Sequence, residues 1–197
     1  MFLSNPFADD AVETLLRRAI SDDGYVMNYV RLWAWQPDVH SAFSNARQLL
    51  ASNTRLSARE VATLNTTTAS RLGDLSCSIA WGSKLAVLCD DSTAAALLRG
   101  EDAPALTERE RALSKWAASV IADPNGTTRT DVEALRVAGL SEQEIFDATV
   151  FVAFRLAFCT VNDALGTLPD RQLAQDAPPA VLASVNFGRE VEKTQRT

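Results

Sequence analysis

Apolar residues in this chain recur three and four positions apart, and β-branched residues never fall into alternating runs. Helices are therefore predicted throughout. Asn5-Pro6 reads as an N-cap followed by proline at the first helical position, opening a helix to about Ile20. A second helix is expected over Tyr25–Trp35, stopping before Pro37, and a third over Asp38–Ala51. Thr130 is placed as the cap of a short helix ending at Gly139. Ile145–Leu165 reads as a long, largely buried helix stopped by Gly166, with Pro169 beyond. After Asp170 the pattern becomes loop-rich, and Gly188–Thr197 is charged and expected to fray or to lie against a neighbouring subunit.

Three helix starts share one grammar: Leu56-Ser57-x-x-Glu60, Leu106-Thr107-x-x-Glu110 and Leu140-Ser141-x-x-Glu144. Each is a capping box, in which the hydroxyl and the carboxylate satisfy orphan amides of the first turn. Glu60 is accordingly read as a cap and not as a catalytic base. The chain is divided into an N-terminal helical lobe (1–52), a helical core (53–170) and a C-terminal extension (171–197) of one all-α domain.

Composition narrows the functions. A length of 197 residues suits one domain with a sizeable core. A net charge of −6 speaks against a nucleic-acid surface. The N-terminus lacks the basic start and apolar run of a signal peptide, and Ala148–Ala157 is too short to span a bilayer and contains Arg155. Three widely spaced cysteines make neither a disulfide framework nor a zinc pattern, so a cytoplasmic protein with free thiols is expected. With one histidine, no phosphate-binding glycine loop and no paired acidic ligands, neither metal nor organic cofactor is expected.

The candidate chemistry lies on two helical arcs. Asp74, Cys77, Trp81 and Lys84 fall within roughly 80° on one helix. Phe151, Arg155, Phe158, Cys159 and Asn162 fall within roughly 100° on another. For Asp74 a helix cap competes with a catalytic acid; for Cys77 and Trp81 ordinary packing competes with a pocket wall. Arg155 interrupts an apolar helix and needs a partner. Asp74, a ligand carboxylate or solvent reached along the apolar stem would each serve. The run of hydroxyls from Thr63 to Ser70 is read either as a pocket lining or, preferentially, as a solvated face. His40 is read as a surface residue, and Tyr25, Tyr29, Trp33 and Trp35 as inter-helix packing.

The segment Leu56–Trp81, LSAREVATLNTTTASRLGDLSCSIAW, resembles the signature of the alkylhydroperoxidase D and carboxymuconolactone decarboxylase superfamily. There a Leu-Ser-x-x-Glu start is followed by a second Glu and by Cys-x-x-Cys-x-x-x-His. On this chain the second Glu falls on Ala62, the first Cys on Asp74, the second on Cys77 and the His on Trp81. Asn28–Phe43 is similar to the N-terminal lobe of the peroxidase-related branch, and the NDALG ending of the late helix to the family's closing helix. The resemblance covers about Tyr25 to Gly166. It implies an all-α multi-helix bundle with an active pocket between helices, near the interface of a homo-oligomer (dimer, trimer or hexamer). It also implies that the closing helix approaches Cys77, which makes a Cys77–Cys159 pair conceivable; Cys89 lies about 18 Å along one continuous helix, beyond reach.

Family-type peroxidase chemistry needs two thiols, and the substitutions argue against it. The function expected first is a cofactor-independent enzyme performing proton transfer, by decarboxylation or isomerisation, on a small organic acid. Asp74 and Cys77 would be catalytic. Trp81, Lys84, Arg155, Phe158, Cys159 and Asn162 would bind the substrate, with Arg155 moving between Asp74 and a ligand carboxylate. A non-catalytic binding or assembly protein comes second, and a Cys77 thiol peroxidase third.

Overall fold

The computed structural model describes residues 1–192, and among these every regular element is a helix. Part of the charged tail expected to fray, 193–197, lies outside the described residues. The N-terminal lobe holds α1 (Asp10–Asp23), α2 (Asn28–Trp33) and α3 (Pro37–Asn53). The helix expected from Pro6 starts later because the Asp9 carboxylate captures the Val12 amide at 2.9 Å and sets the N-terminus there. The second helix is shorter than expected because the Asn28 amide N–H is taken by the Asp170 carboxylate at 2.9 Å.

The core follows as α4 (Ala58–Leu72), α5 (Leu75–Leu88), α6 (Asp91–Leu98), α7 (Glu108–Ala122), α8 (Arg129–Val137) and α9 (Glu142–Ala164). All three capping boxes form as expected. The cap of α8 is Thr128 in place of Thr130, because Thr128 and Asp131 make a further reciprocal box. The helix from Asp74 ends at Leu88, and Asp90 caps the unanticipated α6 by accepting from the Thr93 amide.

The boxes also build tertiary structure. Arg109 of α7 donates to Glu60 of α4 at 2.6 Å and to Glu144 of α9 at 2.7 Å, while Arg59 of α4 reaches Glu110 of α7 at 2.8 Å. Three helix starts are thus tied at one end of the bundle by the carboxylates that cap them. Although burial opposes it, the Ser141 hydroxyl and amide together with Arg109 hold Glu144 down to about 2.

Helix α4 runs through the centre, against α5, α7 and α9. Thr63, Asn65, Thr66, Thr67 and Thr68 are all buried, so the solvated-face reading is corrected. Small side chains let neighbouring helices approach closely; Thr68 donates to the Leu64 carbonyl at 2.7 Å and Thr67 pairs with Ser114 of α7 at 3.0 Å, while the Thr63 and Thr66 hydroxyls find no hydrogen-bond partner among the described residues. Leu64, Leu113, Leu135 and Val152 fill the core on the α7–α9 side.

Beyond Asp170 the chain forms two short helices, α10 (Arg171–Asp176) and α11 (Pro179–Ser184), where loops were expected. Val181 of α11 is fully buried with Ile79, Leu85 and Leu97, so the extension shares the core of α5 and α6. The chain then crosses the α4–α5 junction at Gly188, whose φ is +77°; a Cβ there would lie 2.6 Å from the Gly73 carbonyl oxygen. Past this crossing, Glu192 donates its amide to the Pro169 carbonyl at 3.0 Å and its carboxylate accepts from Asn28 at 3.0 Å. These described residues of the tail are docked on their own chain.

Arg109→Ala is expected to destabilise the fold by about 1–3 kcal/mol, because it strands two partly buried carboxylates. Glu60→Gln should cost less, since glutamine still caps; denaturant midpoints of the two variants check the order. Gly188→Ala is expected to lower the melting temperature, costing about 1–3 kcal/mol through its left-handed φ and the blocked crossing. An unchanged midpoint would show that the crossing is not held in solution.

Candidate active site

The two helical arcs meet. A cavity of about 300 Å³ is bordered by α5 through Asp74, Cys77, Trp81 and Lys84, and by α9 through Arg155, Phe158, Asn162 and Asp163. The N-terminal lobe closes it with Tyr29 and Arg47, and Asp170 and Leu173 close it from the C-terminal side. Seven of the eight expected site residues line this space; Cys159 lies just behind it, 1% exposed.

Each side chain is aimed by a local device. Gly73 ends α4 in the left-handed region, and the Asp74 carboxylate caps α5 by accepting from the Cys77 amide at 2.8 Å. The sulfur of Cys77 therefore sits in the first turn of α5, where helix amides concentrate partial positive charge. On α9 the i, i+3, i+4, i+7 spacing of Arg155, Phe158, Cys159 and Asn162 puts them on the face toward α5. Asn162 Oδ1 accepts from the Trp33 indole N–H at 3.0 Å, which fixes the wall of the N-terminal lobe.

Arg155 is 5% exposed. Its expected ion pair with Asp74 is not formed. Nε donates to Asn65 Oδ1 at 3.0 Å, and Nη1 donates to Cys77 Sγ at 3.3 Å. The reason is positional: Asp74 is committed to the start of α5, and Cys77, one turn in, presents its sulfur to the guanidinium first. Asn65 is oriented for this task by its own amide, which donates to the Val61 carbonyl at 2.8 Å. The guanidinium also lies over Trp81 at 5.1 Å and Phe158 at 5.5 Å from the ring centroids.

Two more cations share these rings. Lys84 Nζ lies 4.9 Å from the Trp81 centroid, and Arg47 lies 5.4 Å from that of Phe158. Burial first, then repulsion from Arg155, lowers Arg47 below the usual guanidinium range. Among the described residues, none of Arg47, Lys84 and Arg155 is in an ion pair with a carboxylate. A second hollow of about 270 Å³ meets the first along Arg47, Trp81, Lys84 and Arg155, so the cations stand at the junction of two spaces.

Carboxyls of unusual character line the main cavity as well. Burial, reinforced by the Asp74 charge and opposed by Arg189, pushes Asp163 up to about 7. Burial also pushes Asp170 up to about 6, despite the amide hydrogen bond from Asn28. Asp163 was missed as a lining residue in the sequence, although it adjoins Asn162; its partial burial is set by the packed bundle and has no local signature. His40 is half-buried, not a surface residue, and packs against Tyr29 and Trp33; burial first, then Arg47, lowers its pKa. Tyr29 and Trp33 pack on Phe158 as expected, whereas Trp35 is 45% exposed.

Cys77 and Cys159 do come together. Their sulfurs and an Asp74 oxygen all lie within 4.8 Å of one another. Such a trio could meet a common metal ion, but the Arg155 guanidinium bonded to Cys77 brings a positive charge to the same point and opposes a second one. The hydrogen bond with Cys77, then burial, pushes the Cys159 thiol far up, so Cys159 is the partner that keeps its proton. No described helix is long and apolar enough to cross a membrane.

At the level of sequence, no family model and no curated protein matches the chain. Solved structures do. An uncharacterized peroxidase-related protein with an alkylhydroperoxidase AhpD core from Ralstonia eutropha JMP134 superposes with a TM-score of 0.73 at 21% identity, over 87% of this chain and 93% of its own. A peroxidase-related protein from Silicibacter sp. TM1040 gives 0.75 at 22% identity over the same shares. The debrominase Bmp8 gives 0.72 at 15% identity, over 94% of this chain and 97% of its own. The all-α architecture of this chain is the alkylhydroperoxidase D-like fold.

Proposed function

We propose that this chain is a cofactor-independent enzyme that moves a proton within a small organic acid, by isomerisation in preference to decarboxylation. The observation that carries this reading is one cavity bordered by three cations that, among the described residues, are in no ion pair, and by a carboxyl pushed up to about 7. Arg155, Lys84 and Arg47 receive the substrate carboxylate. Trp81 and Phe158 supply apolar walls that exclude water and strengthen those contacts.

The placement of charge favours a proton shift. Removing a proton next to a carboxylate pushes negative charge onto its oxygens, where the cations stabilise it more in the transition state than in the ground state. Decarboxylation moves charge the other way, off the bound carboxylate, and the same cations would oppose it. In the proposed reaction the Cys77 sulfur, held by Arg155, takes the proton from carbon. The Asp163 carboxyl delivers a proton to the carbon at the far end of the shifted double bond. Both groups reset by exchange with water. Asp74 positions Cys77 through the capped amide.

The debrominase of the same fold supports a small planar ligand, since a cysteine-to-alanine variant of it forms a complex with 2,3,4-tribromopyrrole. Thiol peroxidase chemistry of the family type gains nothing from three cations or from Asp163.

The reaction is tested by incubating the protein in D2O with a panel of unsaturated C4–C8 carboxylic acids and following loss of carbon-bound protons by NMR. Exchange should fall about a hundredfold or more in Asp163→Asn, and Arg155→Leu should weaken saturation. Exchange indifferent to both variants would sink the assignment. The Asp163 environment is checked separately by stability. Its folded pKa of about 7 exceeds the unfolded value near 3.8, so its contribution is fully present below pH 4 and is lost as pH rises through 7. Asp163→Asn should therefore be more stable than the parent at pH 8, relative to their difference at pH 4. Parallel stability curves would show that the carboxyl is not buried in solution.

A further inference from the structure

We infer that Cys77 and Cys159 form a redox dithiol, a site for small-molecule disulfides in which Cys77 is the attacking sulfur and Cys159, delivered by α9, resolves the adduct. The two sulfurs belong to facing helices and lie within 4.8 Å of each other. A disulfide needs the sulfurs at about 2.05 Å, so the remaining step is a closing movement of the two side chains toward each other. The contiguous arrangement, in which both thiols sit one turn apart on one helix, is closed to this chain because that position holds Asp74.

The pair is asymmetric in the way such chemistry requires. Cys77 borders the cavity, whereas Cys159 lies behind it and does not. A disulfide entering the cavity therefore meets Cys77 first. Arg155 Nη1 donates to the Cys77 sulfur at 3.3 Å and Cys77 sits in the first turn of α5, so the sulfur that meets the ligand is also the one in contact with a cation. Cys159 is held as a thiol until the first step is complete. Apolar Phe158 and Ala69 complete the wall around the two sulfurs.

The steps balance. The Cys77 thiolate attacks one sulfur of RSSR, forming a Cys77–SR bond and releasing RS⁻, which takes up a proton. Cys159 gives its proton to a second RS⁻ as its sulfur displaces that group from Cys77. One molecule of RSSR is reduced to two of RSH, and the protein dithiol is oxidised to a disulfide. Closure takes the Cys77 sulfur away from Arg155, so oxidation and the cation that binds the ligand carboxylate are coupled. The inference does not depend on the substrate or reaction proposed above, because it is read without turnover.

The probe is 2,2′-dithiodipyridine, applied to the folded full-length chain carrying Cys89→Ser, which removes the remaining thiol. Pyridine-2-thione release is followed together with mass spectrometry of tryptic peptides. The expected result is loss of both free thiols, no retained pyridyl label and a Cys77–Cys159 cross-linked peptide that dithiothreitol reverses. Adding Cys159→Ser should halve the release and leave one stable label on Cys77; Cys159→Ala serves if serine disturbs folding. Adding Cys77→Ser should slow the reaction of Cys159 at least tenfold. A label that persists on Cys77 in the presence of Cys159, or a folded chain whose two thiols react only after denaturation, would overturn the inference.

Discussion

A guanidinium buried in the seam between α5 and α9 is the constraint around which the rest of the site is arranged. Water is denied to Arg155, and an isolated charge in such a place would cost far more than a domain can spare. The structure answers with an amide oxygen from α4, a sulfur from α5 and the faces of two rings, Trp81 and Phe158. None of these cancels the charge as a carboxylate would. The result is a cation that is solvated by the protein yet still available to an anion. Lys84 and Arg47, over the same rings, add to this positive field, and among the described residues neither is in an ion pair with a carboxylate.

The central helix explains why this cation can be held so exactly. A helix of large apolar residues in the place of α4 would keep α5 and α9 apart. Threonine, alanine and asparagine let them close on it; the Thr67 and Thr68 hydroxyls bond to Ser114 and to the Leu64 carbonyl, while those of Thr63 and Thr66 are buried without a hydrogen-bond partner among the described residues. Asn65 is the member of that series turned outward to Arg155. At the opposite end of the bundle, Arg59 and Arg109 join the capping carboxylates of α4, α7 and α9. The bundle is thus pinned where the helices begin and leaves its polar seam free for ligands.

The acid side of the cavity is made by a different part of the chain. The tail returns across the α4–α5 junction, with Arg189 donating to the Asp163 carbonyl at 3.0 Å and Glu192 bound to Asn28. Burial and the Asp74 charge push Asp163 up to about 7, and Arg189 of this strap acts against them. The cavity thus has cations at one wall and, at another, carboxyls whose pKa values burial has raised. The thiol pair behind Arg155 would, as proposed, add a second chemistry whose sulfur is shared with the proposed proton transfer.

Much of this was legible in the sequence, because it depends on residues three or four apart. The all-α class, the three capping boxes, Asp74 as the start of α5, and the two arcs that carry Asp74, Cys77, Trp81, Lys84 and Arg155, Phe158, Cys159, Asn162 all follow from helical spacing. What spacing cannot express is which arc faces which residue across a seam. Only the packed structure decided that Arg155 goes to Asn65 and Cys77 and not to Asp74, since that choice turns on the depth at which two helices cross. It alone buried the threonines of α4, brought Cys159 to Cys77 from 82 positions away, packed α11 on α5 and α6, and carried Arg189 back to the Asp163 carbonyl. Local rules set the helices and their faces; the partners of each face are set by non-local packing, in which burial and desolvation are properties of the whole bundle.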